Sequence, residues 1–132
     1  MITLDTSALF ALMNRRDPDH VAVREALEKD RGPYLVPAGV LAEITYLLEH
    51  RYGAATLDAF LGDLEAGRYR LDCGERDMPR IRALVKRYAD LPLGFADAAV
   101  IACAEHHSGA VLTLDRPDFT VVAGEAAITV LP

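Results

Sequence analysis

The sequence predicts an α/β domain: a parallel sheet with helices on both faces. Three observations predict it. The chain opens on a short apolar run, Ile2-Thr3-Leu4, that stops on Asp5 and passes at once into helical periodicity. Further short apolar runs alternate with longer amphipathic stretches, the βα alternation of a parallel sheet. A late stretch, 95–107, is apolar nearly all round and so reads as a helix buried on most sides. With 132 residues, a single domain spanning 1–132 is expected.

The elements follow in order. After the first strand, Thr6 or Ser7 can cap a helix beginning at Ala8. Asp17-Pro18 starts a second helix, with Val21, Ala22, Ala26 and Leu27 as its apolar face and Gly32 as its stop. Tyr34-Leu35-Val36-Pro37 is a short strand. A helix over 38–52 carries the stripe Val40, Leu41, Ile44, Leu47 and Leu48, and Gly53 ends it. The next helix, 54–66, turns Leu57, Phe60, Leu61 and Leu64 inward.

Residues 69–73 read as a strand. Asp77 caps a helix over 78–89, with Ile81, Leu84, Val85 and Tyr88 toward the core. After the all-apolar helix, Gly109 leads into a strand, 110–115, that ends on a second acid, Asp115. Arg116-Pro117-Asp118-Phe119 is expected to be a turn, and 128–131 a last short strand.

Composition narrows the function. The net charge of -6 argues against non-specific coating of nucleic acid, yet suits an enzyme whose own site is acidic. Apolar runs fall far short of a bilayer span, and no basic segment followed by an apolar core opens the chain. A cytoplasmic protein with no membrane partner is expected. Cys73 and Cys103 lie in apolar surroundings without metal-ligand spacing, so two buried free thiols are expected. His106 and His107 fit the favourable electrostatics of a helix end. P-loop, dinucleotide and nucleophile-elbow patterns are absent.

Four acids sit in apolar settings: Asp5, Glu43, Asp97 and Asp115. Each has an ordinary account alone, as a cap, a helix-start charge, a solvated side chain or a turn residue. Asp97 presses the point hardest, because Phe95, Ala96, Ala98 and Ala99 surround it and a buried charge needs a partner. Lysine is absent near all four, and only Asp115 has an adjacent arginine, Arg116. Clustered carboxylates without cations call for a divalent metal. An all-oxygen donor set favours Mg²⁺ or Mn²⁺ over Zn²⁺.

Taken together, these residues resemble the PIN-domain ribonucleases, and within them the VapC-type toxins of bacterial and archaeal toxin–antitoxin pairs. The resemblance runs over essentially the whole chain. Ile2-Thr3-Leu4-Asp5-Thr6-Ser7 is similar to the family's opening strand and first acid, and Val40-Leu41-Ala42-Glu43-Ile44 supplies the second. Leu93-Gly94-Phe95-Ala96-Asp97-Ala98 is the most specific piece and supplies the third. Leu112-Thr113-Leu114-Asp115-Arg116-Pro117-Asp118-Phe119 matches the closing segment, with Asp115 as the fourth acid and Asp118 as a second candidate for it.

The resemblance implies a five-stranded parallel sheet in the order 3-2-1-4-5, with Asp5 and Asp115 at neighbouring strand ends. It implies a metal-dependent endoribonuclease acting on RNA, usually a homodimer, inhibited by an antitoxin whose tail fills the groove near the acids. Asp5 and Asp97 would then ligate Mg²⁺ or Mn²⁺ directly, and Glu43 and Asp115 through water or a second ion. Thr6, Ser7 and Thr113 are supporting hydroxyls, and Arg15, Arg16 and Arg116 are phosphate-contact candidates.

Other readings are separable. An aspartyl-phosphate enzyme wants an acid two residues after Asp5, where Ser7 stands. A phosphoacceptor receiver wants a late lysine, and none follows Lys86. A non-catalytic module of the same fold usually loses one or more acids, and all four are present here. A housekeeping RNA-processing nuclease shares the motifs; the minimal length favours a toxin.

Overall fold

The computed structural model describes residues 1–72 and 74–132. Five strands form one sheet: β1 (Ile2–Leu4), β2 (Tyr34–Pro37), β3 (Tyr69–Asp72), β4 (Ala110–Leu112) and β5 (Thr129–Leu131). Their order is β3-β2-β1-β4-β5, and every neighbouring pair is parallel. The expected class and strand order therefore hold. Parallel neighbours need crossovers, and helices supply them: α1 (Thr6–Leu12), α2 (His20–Glu28), α3 (Ala38–Tyr52), α4 (Ala54–Glu65), α5 (Met78–Arg87), α6 (Phe95–His106) and α7 (Arg116–Ala123). Among the described residues no helix is long and apolar enough to cross a membrane.

β1 sits at the centre, and Ile2, Leu4, Val36, Val111 and Leu112 are all buried around it. Leu4 pairs with Leu112, so the carboxyl ends of β1 and β4 lie level. Across α6, residues 98–104 are all buried, as its apolar circumference requires. This helix packs on α3 and α5 and against β1, β2 and β4. Gly39 permits the α3–α6 approach: a Cβ there would stand 2.7 Å from Ala99 Cβ and 3.1 Å from Phe95 Cε1. No larger residue fits without separating the two helices that carry Glu43 and Asp97.

Several local expectations are corrected. Helix α1 begins at Thr6 with Asp5 at the cap position, so neither Thr6 nor Ser7 is the cap. The Asp5 side chain makes no capping bond, because hydroxyls elsewhere engage it. α2 turns His20, Val23 and Leu27 inward, while Val21 is 51% exposed. His20 tolerates burial because its Nδ1 lies 3.0 Å from the Ala11 carbonyl oxygen. Of the residues expected inward on α4, Phe60 is buried but Leu61 is 44% exposed.

The stretch 116–119 is no turn but the start of α7. Pro117 is harmless in the first turn, where its missing N–H has no helical acceptor, and Phe119 and Val122 provide a buried face. β4 stops at Leu112, so Thr113 rather than Asp115 stands beside Asp5. Asp115 occupies the N-cap of α7 instead. Cys103 is buried and disulfide-bonded, which corrects the free-thiol expectation there; apolar surroundings suit a thiol and a disulfide equally. Cys73 lies outside the described residues.

Candidate metal centre

Four chain segments converge at the carboxyl end of the central strands. β1 delivers Asp5, α3 delivers Glu43, the first turn of α6 delivers Asp97, and the start of α7 delivers Asp115. All four acids line one cleft of about 290 Å³, together with Thr6 and Ser7. Phe10, Leu47 and Ala96 form its apolar wall. Phe10 is braced by stacking on Tyr52, with ring centroids 4.9 Å apart. Asp5 is buried, Asp97 is half-buried, and Glu43 and Asp115 are exposed.

Asp5 is held by a hydroxyl network. Thr113 Oγ1 donates to Asp5 Oδ2 at 2.8 Å, and Ser7 Oγ donates to the same oxygen at 3.0 Å. The two hydroxyl oxygens are 3.2 Å apart. Ser7 Oγ accepts the Leu114 amide at 2.9 Å, and Thr113 Oγ1 accepts the Asp115 amide at 3.0 Å. The carboxylate is thus fixed from two segments at once, the first turn of α1 and the residue that follows β4. Thr113→Val keeps the shape, removes the donor and leaves a buried carboxylate short of a partner. Urea denaturation should show a loss of ~1–3 kcal/mol. A loss below ~0.3 kcal/mol would mean that the network does not hold Asp5.

The electrostatics are those of a site awaiting positive charge. Burial pushes the Asp97 carboxyl up to about 6, reinforced in order by Asp5, Asp115, Asp118 and Glu43. Asp115 is raised as well, first by burial, then by Asp118 and Asp5. Among the described residues, no ion pair involves any of these acids. Carboxylate oxygens of Asp97, Asp115 and Asp118 all lie within 4.8 Å of one another. An all-carboxylate donor set with this spacing fits a hard divalent cation.

The other residues singled out in the sequence lie elsewhere. Arg15 lines a separate pocket of about 700 Å³ with His20, Arg24 and Arg68. Arg16 is exposed, and its backbone N–H donates to Asn14 Oδ1 at 3.1 Å. Arg116 donates to the Pro132 carbonyl at 2.8 Å. None of the three arginines lines the acidic cleft. His106 and His107 face Asp77 and Asp72, at 3.2 and 2.9 Å. Asp118 joins Asp97 and Asp115 because α7 places it one turn after Asp115. The pattern Asp115-Arg116-Pro117-Asp118, a helix start with an acid in its first turn, was the signal for it.

Comparison with known proteins agrees with this geometry. The PIN domain family matches over residues 2–125. Ribonuclease VapC26 of Mycobacterium tuberculosis (strain ATCC 25618 / H37Rv) is 35% identical over 133 residues, covering 98% of each chain. Among solved structures, the sarcin–ricin loop cleaving toxin VapC20 of Mycobacterium tuberculosis superposes with a TM-score of 0.79 at 21% identity, covering 100% of both chains. A toxin–antitoxin complex from Klebsiella pneumoniae gives a TM-score of 0.74 at 20% identity, covering 98% of this chain and 96% of that one.

Proposed function

The chain belongs to the PIN-domain family, and on that premise we propose that it is an endoribonuclease, dependent on Mg²⁺ or Mn²⁺, that acts as the toxin of a toxin–antitoxin pair. The observation that carries the reading is the convergence of Asp5, Glu43, Asp97 and Asp115 on one cleft that, among the described residues, no cationic side chain lines. Binding proteins of this fold have no need to keep four carboxylates in mutual repulsion. The kinship to a ribonuclease along 98% of each chain gives the substrate as RNA.

A bound divalent cation would lower the pKa of water for attack on phosphorus and stabilise the developing charge. Asp5 and Asp97 are the residues to hold it. Asp5 is suited to this because Thr113 and Ser7 fix its carboxylate before anything binds. Glu43 and Asp115, more exposed, are placed to bind through water or toward a second ion. Phe10 and Leu47 give the cleft an apolar wall beside the acids.

The test is purified protein on total RNA, with and without any small protein that the neighbouring reading frame proves to encode. Internal cleavage of RNA, silenced by that neighbour, is the expected result. An absence of products from any RNA fraction would remove the nuclease reading.

Kinship in fold to a toxin–antitoxin complex supports an antitoxin partner. Exposed Tyr46 on α3 and Leu61 on α4 support a further contact, between two copies of the chain. A homodimer is therefore expected in sedimentation at micromolar concentration; a monomer there would send these side chains to the antitoxin alone.

A further inference from the structure

We infer that Phe95 binds a nucleobase: its ring forms one side of an apolar hollow, beside the acidic cleft, that takes an unpaired base of the RNA. The inference rests on the reading of the cleft as a ribonuclease site and names what holds the substrate next to the acids.

The hollow has a volume of about 370 Å³, and Phe95, Met78, Ile81, Ala38, Gly39 and Glu75 are on its lining. Ile81 is buried, whereas Met78 and Phe95 are 45% and 51% exposed. A single exposed apolar side chain needs no account, but two flanking one recess mark a binding surface. The helices place this recess beside the acids. Gly39 and Glu43 are four residues apart on α3, so they share a face of that helix, ~6 Å apart along its axis. Gly39 borders the hollow and Glu43 the cleft. The first turn of α6 is divided in the same way, with Phe95 on the hollow and Ala96 and Asp97 on the cleft. One nucleotide of an extended strand bridges that gap. A phosphodiester at the acids therefore leaves a neighbouring base within reach of the Phe95 ring.

The ring is set in advance. A Cβ on residue 39 would meet Phe95 Cε1 at 3.1 Å and Cζ at 3.7 Å, so the ring edge rests on α3 where glycine leaves it room. Rotamer freedom already lost in folding is not lost again on binding. The lining also suits a base, which needs apolar or aromatic groups against its faces. Its one charged side chain, Glu75, is an acceptor for the amino group of adenine, cytosine or guanine. The same carboxylate disfavours a phosphate group or an acidic peptide there. A cube of this volume is about 7 Å on a side, narrower than the ~10–12 Å of a helix with its side chains, so the recess matches a ring and not a docked helix.

The experiment is binding of two fluorescein-labelled probes, read by anisotropy: a twelve-residue oligoadenylate and a ribose-phosphate strand of the same length without bases. Asp97→Asn is the background, since it removes turnover and part of the charge that opposes phosphate. On it are placed Phe95→Ala, Phe95→Leu, Phe95→Tyr and, as a control of similar exposure on α7, Val121→Ala. Phe95→Ala and Phe95→Leu are expected to weaken oligoadenylate binding by roughly five- to a hundredfold, the loss of one stacked base. Phe95→Tyr and Val121→Ala should keep the affinity of the background. The strand without bases should bind the background more weakly than oligoadenylate does, and should bind every Phe95 variant alike. Melting curves show that each variant is folded.

If Phe95→Leu holds oligoadenylate like the background, the ring serves as bulk and not as a stacking face, and the inference is overturned. It is overturned too if the background binds the two strands equally, or if the strand without bases loses affinity in step with oligoadenylate. If Phe95→Ala turns a sedimenting dimer into a monomer with RNA affinity unchanged, the hollow is a contact between copies of the chain and not a base site. A parent that cleaves RNA while no Phe95 variant alters oligoadenylate binding refutes this inference alone. A parent that cleaves no RNA refutes the nuclease reading, and this inference with it.

Discussion

Asp97→Asn should lower RNA cleavage by orders of magnitude while leaving the metal-free protein at least as stable as the parent. The two halves have one cause. Burial, with Asp5 and the other acids behind it, raises the folded carboxyl to about 6, against an ordinary value of 3.8. A raised acid stabilises the fold fully below its unfolded pKa, and that contribution is lost as pH rises through the folded value. At pH 7 an ionised Asp97 is therefore a liability in the absence of metal. Solvent screening at this half-buried position leaves the liability at ~1 kcal/mol. Asparagine keeps the shape and removes the charge.

Melting curves in chelator at pH 5 and pH 7 read this directly. Part of the parent's stability is lost between the two values, and the variant is spared that part. Cleavage falls because the residue that would hold the cation is gone, and with it both the activated water and the charge stabilisation. A variant that cleaves like the parent and melts lower without metal would return Asp97 to the role of helix-start charge.

Chelation of the parent should have an effect of similar size. Cleavage is expected to vanish with excess chelator and to return on addition of Mg²⁺ or Mn²⁺. The same ions should stabilise the fold by RT ln(1 + [L]/Kd), ~2.7 kcal/mol at a hundredfold excess over Kd. Protons compete for the same carboxylates, so this stabilisation should fade as pH drops through about 6, where Asp97 takes up its proton. Calorimetry with and without Mg²⁺ at several pH values measures both effects. Undiminished cleavage in chelator would end the metal mechanism.

The sequence was most legible where one physical requirement dominated. Apolar runs of only three or four residues with no wet face are too short for a helix and read as buried strands, and β1 and β2 came out as expected. α3 runs from Ala38 to Tyr52 as its stripe and terminal glycine demand. The acids Asp5, Glu43, Asp97 and Asp115 were recognisable because carboxylates in apolar settings are costly, and all four line the cleft.

Legibility failed where two requirements competed. Pro117 signalled a turn, yet a proline costs nothing in the first turn of a helix, so α7 and the placement of Asp118 were hidden. His20 counted as polar, yet a carbonyl partner lets it join a buried face, so the apolar side of α2 was misplaced. The end of β4 was set too late because Leu114 continues the apolar run after the strand has stopped.

The connection from β4 to α7 has one more consequence. Residues 113–115 form no regular element, yet the Thr113 hydroxyl and the Leu114 amide are tied to the neighbouring Asp5 and Ser7. The stretch is therefore unsuited to act as a hinge or lid. Its conformational entropy is already lost in folding, so little ordering remains to oppose substrate when it arrives. A cleft preorganised on that side admits its ligand by approach from outside, without rearrangement of its own floor.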